Sequence, residues 1–316
     1  MKKIIFALLT SIMLFASCST GDDITEVIVN PGEKYTSELT VKISANDVQT
    51  KTVGCGDNNY VETKLSNALF ATFFADGSLN VIREASFAEG QETKITFSLK
   101  PGNIKVYAVA NVNPALFSSV NNETEFKAVL LSLNQTTIPL VGNKTINIVS
   151  KQTTTDSIDI SRIVSKISIA KIELGLATNG YPNATFKVDR VFLHNANTKS
   201  TVDFIGSEPK SGLTETSLMN YKADFFGYYD RHYFYTFQGS TKLIIGGWFK
   251  DGSRAPEYLY YPVPIEAVHN THYAITVKIN GKGEKNPDDV FEPAGKLEAT
   301  LKVLPWNKED VDVIFD

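Results

Sequence analysis

Short runs of alternating apolar and polar residues, separated by turn-forming pairs, recur along this chain and leave few options for its fold. The clearest is Leu39, Val41, Ile43 and Ala45, interleaved with Thr40, Lys42 and Ser44. A period of two places the first set on one side of an extended strand and the second on the other, so this strand has one buried face. Residues 65–74 form a second run, apolar on both faces in places, and Asp76-Gly77 closes it with turn chemistry. Residues 79–82 can pair back as a hairpin. Residues 93–99 alternate through Ile95, Phe97 and Leu99. Lys100-Pro101-Gly102-Asn103 has the residues of a type II turn, and 104–112 is apolar on both faces, as a central strand would be.

Helical signals are few. Asn113-Pro114 is an N-cap followed by proline at the first helical position. Asn122 with Glu125 three residues on is a variant of the capping box, and Phe126, Val129, Leu130 and Leu133 follow at helical spacing. Residues 138–149 return to strand, and the polar stretch 153–156 is expected to break the chain. Residues 160–174 form a long β run whose apolar phase shifts, which predicts a bulge near Ser165. Further strands are expected over 186–193, 242–250, 257–263, 272–279 and 296–304. Between 221 and 237 lies an aromatic-dense stretch that reads as core and inter-domain packing, with a sugar-stacking surface as the other option. Near the end, Val311, Val313 and Phe315 alternate with Asp310, Asp312 and Asp316. Many short strands with few helices indicate a mostly β chain of tandem antiparallel β-sandwiches, with one or two short helices in the first.

The leader sets the compartment. Lys2 and Lys3 precede an apolar run of about a dozen residues, too short to span a membrane, which needs roughly 20. Ala16 and Ser17 then precede Cys18, so residues 1–17 read as a signal peptide and Cys18 as a lipidated lipoprotein cysteine. Two acyl chains would hold the product on a membrane. Residues 18–34 are small, acidic and poor in apolar content, a tether. The body divides into an N-terminal sandwich over 35–158 and a C-terminal one over 159–316. The only other cysteine is Cys55, so with Cys18 acylated no intramolecular disulfide forms.

Composition excludes some functions. Hydrophobic residues make up 42% of the 316, enough for real cores, and the net charge of −4 comes without a basic block, which argues against nucleic acid. Motifs for a nucleophile elbow, a phosphate loop, a dinucleotide fold or a zinc protease are lacking, so the chain reads as no enzyme and no cofactor is expected. His269 and His272 are three apart, a spacing that places them on opposite faces of a strand rather than on one metal. Asp57, Asp76 and Asp251 read as turn residues.

Taken in order, several pieces resemble the fimbrillins, the type V pilins that anaerobic Gram-negative bacteria make as lipoproteins. They are the lipoprotein leader and the strand leading to Thr50-Lys51-Thr52; residues 69–77 with their Asp-Gly turn; and Pro101-Gly102 followed by Val106-Tyr107-Ala108-Val109-Ala110-Asn111. Arg162-Ile163-Val164-Ser165-Lys166-Ile167 is similar to the family's Arg-x-x-Ala-Lys element, and His269-Asn270-Thr271-His272-Tyr273 to the start of a late strand. The resemblance implies that both sandwiches are transthyretin-like. It also implies maturation by a trypsin-like protease, which cuts behind the first strand at the position matched here by Lys51. Loss of Leu39, Val41, Ile43 and Ala45 would open a groove for the terminal strand of a neighbouring subunit, the part that Val311, Val313 and Phe315 would play here. On periodicity alone, an edge strand in a monomeric sandwich is the simpler reading of both strands; the resemblance shifts the balance to strand exchange. The expectation is a fimbrial subunit for adhesion, an outer-membrane lipid-anchored precursor and then part of a surface fimbrium. Its partners would be other fimbrillin subunits, membrane lipid, the protease and a surface receptor. The alternatives are an uncleaved anchor, a tip adhesin, or a glycan-binding surface lipoprotein.

Overall fold

The computed structural model describes residues 26–27, 37–45, 65–86, 94–133, 137–210, 219–220, 233–286 and 297–304. Its nineteen described strands run β1 (Glu26–Val27), β2 (Ser37–Ala45), β3 (Asn67–Phe73), β4 (Leu79–Ser86), β5 (Lys94–Leu99), β6 (Gly102–Ala110), β7 (Leu130–Ser132), β8 (Leu140–Ile148), β9 (Thr153–Arg162), β10 (Val164–Leu174), β11 (Ala184–His194), β12 (Ala196–Thr201), β13 (Gly206–Lys210), β14 (Met219–Asn220), β15 (Tyr233–Phe237), β16 (Gly239–Asp251), β17 (Glu257–Ala267), β18 (His272–Ile279) and β19 (Leu297–Leu304). One helix, α1 (Glu123–Ala128), and a 3₁₀ turn (Pro114–Phe117) follow β6. The protein is mostly β, as the alternating pattern predicts.

The first eight-stranded sheet has the order β1-β4-β3-β6-β8-β9-β2-β5. It folds over on itself at β9. The last residues of that strand, Ser161 and Arg162, pair with Val141 and Leu140 of β8, while its earlier residues pair with β2. Leu39 and Val41 of β2, Phe97 of β5 and Ile158 of β9 meet Phe70 of β3, Val106 of β6 and Ile146 of β8 in one core. Phe70 and Phe97 touch edge to face at 6.2 Å between ring centroids. The other side of β3 and β6 is also buried, so both strands are apolar on both faces. There Leu69, Phe73, Tyr107 and Val109 pack under Phe117 and Phe126.

The caps that position those two phenylalanines follow from the sequence. Asn113 accepts from the Ala115 N–H at 3.1 Å, and Asn122 accepts from the Glu125 N–H at 2.9 Å. Glu125 returns the contact one residue early, accepting from the Asn121 N–H at 2.8 Å. The helix stops at Ala128, so the expected continuation to Leu133 does not form. Residues 130–132 instead pair as β7 with β12 of the second half, which gives Leu131 a buried site that a further helical turn would not reach.

Glu123 ties this layer to its sheet. Burial pushes its carboxyl up, but Lys105, the Tyr107 hydroxyl and Lys127 outweigh that and bring it down to about 2. Its folded value lies below its ordinary 4.5, so the stabilisation is present above that pH and drains away as the pH falls toward 2. Glu123→Gln should therefore cost about 1–2 kcal/mol at neutral pH and progressively less below about pH 4, read by urea unfolding across a pH series.

The chain changes sheets at Ile163, between β9 and β10. That crossing, rather than a bulge near Ser165, explains the phase shift over 160–174; the irregularity within β10 lies between Ile169 and Lys171. The stretch 153–156 is not a break but the start of β9, drawn into extended form by its parallel pairing with β2. The second half is a sandwich of two sheets. One has the order β13-β12-β15-β10-β18-β19, with β14 on β15 and β7 on β12, and the other is β11-β16-β17. Ile167, Ile275 and Val277 of the first face Leu193, Ile245 and Val263 of the second. The halves share a cluster in which Phe126 and Leu131 meet Val164, Val202 and Phe237. Lys127 reinforces it, its carbonyl accepting from the Val202 N–H at 3.1 Å and its ammonium 3.6 Å from Asp203.

Candidate functional site

The strand carrying Leu39, Val41 and Ile43 is an inner strand. Over Glu38–Ala45 it runs parallel to Thr153–Ile160 of β9, and over Ser37–Lys42 antiparallel to Leu99–Lys94 of β5. Leu39 and Val41 are 0% exposed and Ile43 8%. Ala45 lies opposite Ile160 in the parallel ladder. The polar set points the other way, where Thr40 and Thr96 share a hydroxyl–hydroxyl bond of 3.0 Å and Thr153 donates to Glu38 at 3.3 Å. At the start of the strand the buried Ser37 hydroxyl accepts from the Lys151 N–H at 3.1 Å.

Among the described strands β5 pairs with β2 alone. Taking β2 away would therefore do two things at once. It would open an apolar trough between β5 and β9, floored by Phe70 and Val106, and it would cut β5 off from the sheet's hydrogen bonding. Three buried side chains contribute about 1.5–3 kcal/mol each, or on the order of 5–9 kcal/mol before ordering costs. A replacement with the polarity of β2 would have to lie parallel to β9, antiparallel to β5, and apolar at every second residue.

The other residues singled out from sequence lie elsewhere. Cys18, Lys51, Cys55, Asp57, Val311, Val313 and Phe315 lie outside the described residues, as do residues 221–232 of the aromatic stretch; the rest of it, Tyr233–Phe237, is β15, with Phe234 in the core of the second half and Phe237 in the shared cluster. Asp76 caps its turn by accepting from the Ser78 N–H at 2.9 Å, beside Gly77 at φ +83°. Asp251 pairs with Arg254 at 3.1 Å. The two histidines do not share one strand. His272 opens β18 and bonds Ser168 at 2.8 Å, while His269 sits in the preceding turn, 2.8 Å from Gln238 and stacked on Phe204 at 4.0 Å. Burial holds His269 below its ordinary pKa. Among the described residues no three metal-ligating side chains come together, and no helix is long and apolar enough to cross a membrane.

Residues 31–312 match the family model of the fimbrillin-A associated anchor proteins Mfa1 and Mfa2. The chain belongs to this family. The fimbrillin family is thus one of fimbrial structural and anchor proteins, components of cell-surface appendages, and not one of enzymes. Solved structures share its fold. A fimbrilin from Porphyromonas gingivalis W83 superposes with a TM-score of 0.64 at 18% identity, over 87% of this chain and 99% of that one. A candidate cell adhesion protein from Bacteroides eggerthii DSM 20697 gives 0.62 at 19%, over 88% and 98%. Another, from Parabacteroides distasonis ATCC 8503, gives 0.61 at 15%, over 86% and 99%. No curated protein sequence matches the chain.

Proposed function

We propose that this fimbrillin is a structural fimbrial subunit for adhesion, exported as a lipoprotein acylated at Cys18. A trypsin-like protease cuts it after Lys51, and it polymerises when the terminal segment of another subunit, bearing the equivalents of Val311, Val313 and Phe315, takes the place of β2. The precursor is held at the outer membrane by lipid and the product stands in a surface fimbrium, among other fimbrillin subunits and facing a surface receptor. The observation that carries this reading is the seat of β2: an apolar face fully buried between two strands that do not pair with each other. The row of backbone groups and the trough left behind together favour strand addition.

A chain lacking residues 311–316 should fold and be exported yet fail to form SDS-resistant ladders, while still accepting an intact subunit's terminal segment. A full ladder from that truncated chain alone would contradict the donor assignment. The second reading, an uncleaved anchor, is favoured by the matching family being one of fimbrillin-associated anchor proteins and by lysine where fimbrillins usually carry arginine. An anchor keeps β2 in place, needs no donor segment of its own, and forms a stable one-to-one complex with a terminal subunit.

A further inference from the structure

The outward face of the β11-β16-β17 sheet carries a feature the assembly reading does not use. Trp248 stands near the far end of β16 with 47% of its surface exposed, the only aromatic residue among the exposed large hydrophobics of the described chain. It does not stand alone. Across the sheet it faces Lys187 on one side and Tyr258 on the other, and its ring meets Tyr258 edge to face at 5.1 Å, with Tyr260 a further 5.3 Å beyond. Tyr258 is locked in place: its hydroxyl donates to Asp189 at 2.8 Å and accepts from Arg190 Nε at 3.0 Å. Gly246 lets it lie flat, since a Cβ there would come within 3.0 Å of the Tyr258 hydroxyl and 3.2 Å of Arg190. The indole is thus a half-exposed plane on a regular strand, beside a tyrosine whose hydroxyl is already satisfied.

The charge around it has one sign to spare. Lys187 and Lys250 are exposed, whereas Arg190 is held by Tyr258 and lies 3.7 Å from Asp189, Asp251 pairs with Arg254 and Glu257 with Lys282. This is a cationic rim on a chain whose net charge is −4. A single exposed ring bordered by charges is too small and too polar to be the core of a protein interface, which buries on the order of 1,000 Å² around an apolar centre. It matches a sugar ring in size, with an apolar face for the indole and polar edges for the rim.

We propose that this face binds an acidic carbohydrate, with one sugar ring stacked on Trp248 and its carboxylate received by Lys187 and Lys250. The site stands whether the chain is a stalk, anchor or tip subunit. The test uses the full chain in detergent, titrated with a galacturonate hexasaccharide and with neutral maltohexaose, and read by calorimetry and tryptophan fluorescence. The uronate should bind saturably and quench the fluorescence, and maltohexaose should bind about tenfold more weakly. Trp248→Ala should weaken the uronate about tenfold, while Trp248→Phe keeps most of the affinity but loses the quenching. Lys187→Glu with Lys250→Glu should remove the preference for the acid and leave maltohexaose unchanged. Circular dichroism checks that each variant is folded, and fimbrial ladders should form normally with all of them, which separates this site from the assembly account. Three outcomes would overturn the proposal: no binding of the uronate at millimolar concentration, equal binding by folded Trp248→Ala, or protection of Trp248 by a protein partner or second copy rather than by sugar.

Discussion

Val41→Asp should lower the unfolding free energy by about 4 kcal/mol or more, whereas Thr40→Lys one position earlier should change it by less than about 1 kcal/mol. The two residues are neighbours on one strand but face opposite ways. Val41 is fully buried, opposite Ile95 of β5 and Asp156 of β9 in the two ladders, with the core of β3 and β6 beneath it. A carboxylate there loses the packing and is desolvated among the apolar side chains of that cluster. Thr40 lies on the outer side, beside Thr96, where a lysine stem can lie along the sheet with its head in water. Urea unfolding followed by circular dichroism reads both. Equal effects from the two variants would mean that β2 is not seated with Leu39, Val41 and Ile43 inward.

Gly142→Ala should cost about 3 kcal/mol or more, although it adds only one methyl group. Gly142 sits in β8 where β9 leaves it to cross toward β2. A Cβ at that point would lie 2.1 Å from the Asp159 carbonyl oxygen and 3.0 Å from Ile160 Cγ2. The first of these atoms is backbone, and its strand is fixed on its other side by β2, with Ser44 opposite Asp159. The clash therefore cannot be relieved by a rotamer change; β9 must move, and the seat of β2 with it. Gly180→Ala makes a useful contrast. Nothing lies within 4 Å of a Cβ there, and its cost, about 1 kcal/mol, comes only from the left-handed φ of +91°. Thermal unfolding of the two variants should separate them clearly, and equal losses would count against the close crossing at β8 and β9.

Alternation in the sequence was a sound guide wherever one face of a strand is buried and the other wet. The β2 pattern, the β5 pattern and the β18 pattern all point the way their periodicity predicts. The double-sided strands β3 and β6 were legible too, because a central strand buried on both faces has no polar set to alternate. Local order by itself misled where a partner distant in sequence decides the conformation. Residues 153–156 look like a loop, being threonines and an aspartate, yet a parallel neighbour over a hundred residues earlier makes them strand. Residues 130–133 continue a helical spacing, yet pairing with β12 across the two halves outweighs it. The shift of phase near Ser165 was visible, but a bulge and a change of sheet leave the same trace in one dimension. Trp248 gave no signal at all: its exposure depends on which face of β16 the second sheet covers. Gly142 was equally silent, since a glycine's need for space is set by what crosses it.

The central claim is that β2 is a removable strand and that the sandwich behind it accepts a substitute. N-terminal sequencing of the protein taken from the native cell surface, as an SDS-resistant oligomer, tests this most directly. The account predicts a chain beginning at Thr52. A chain still beginning at the acylated Cys18, recovered only as monomer, would contradict it.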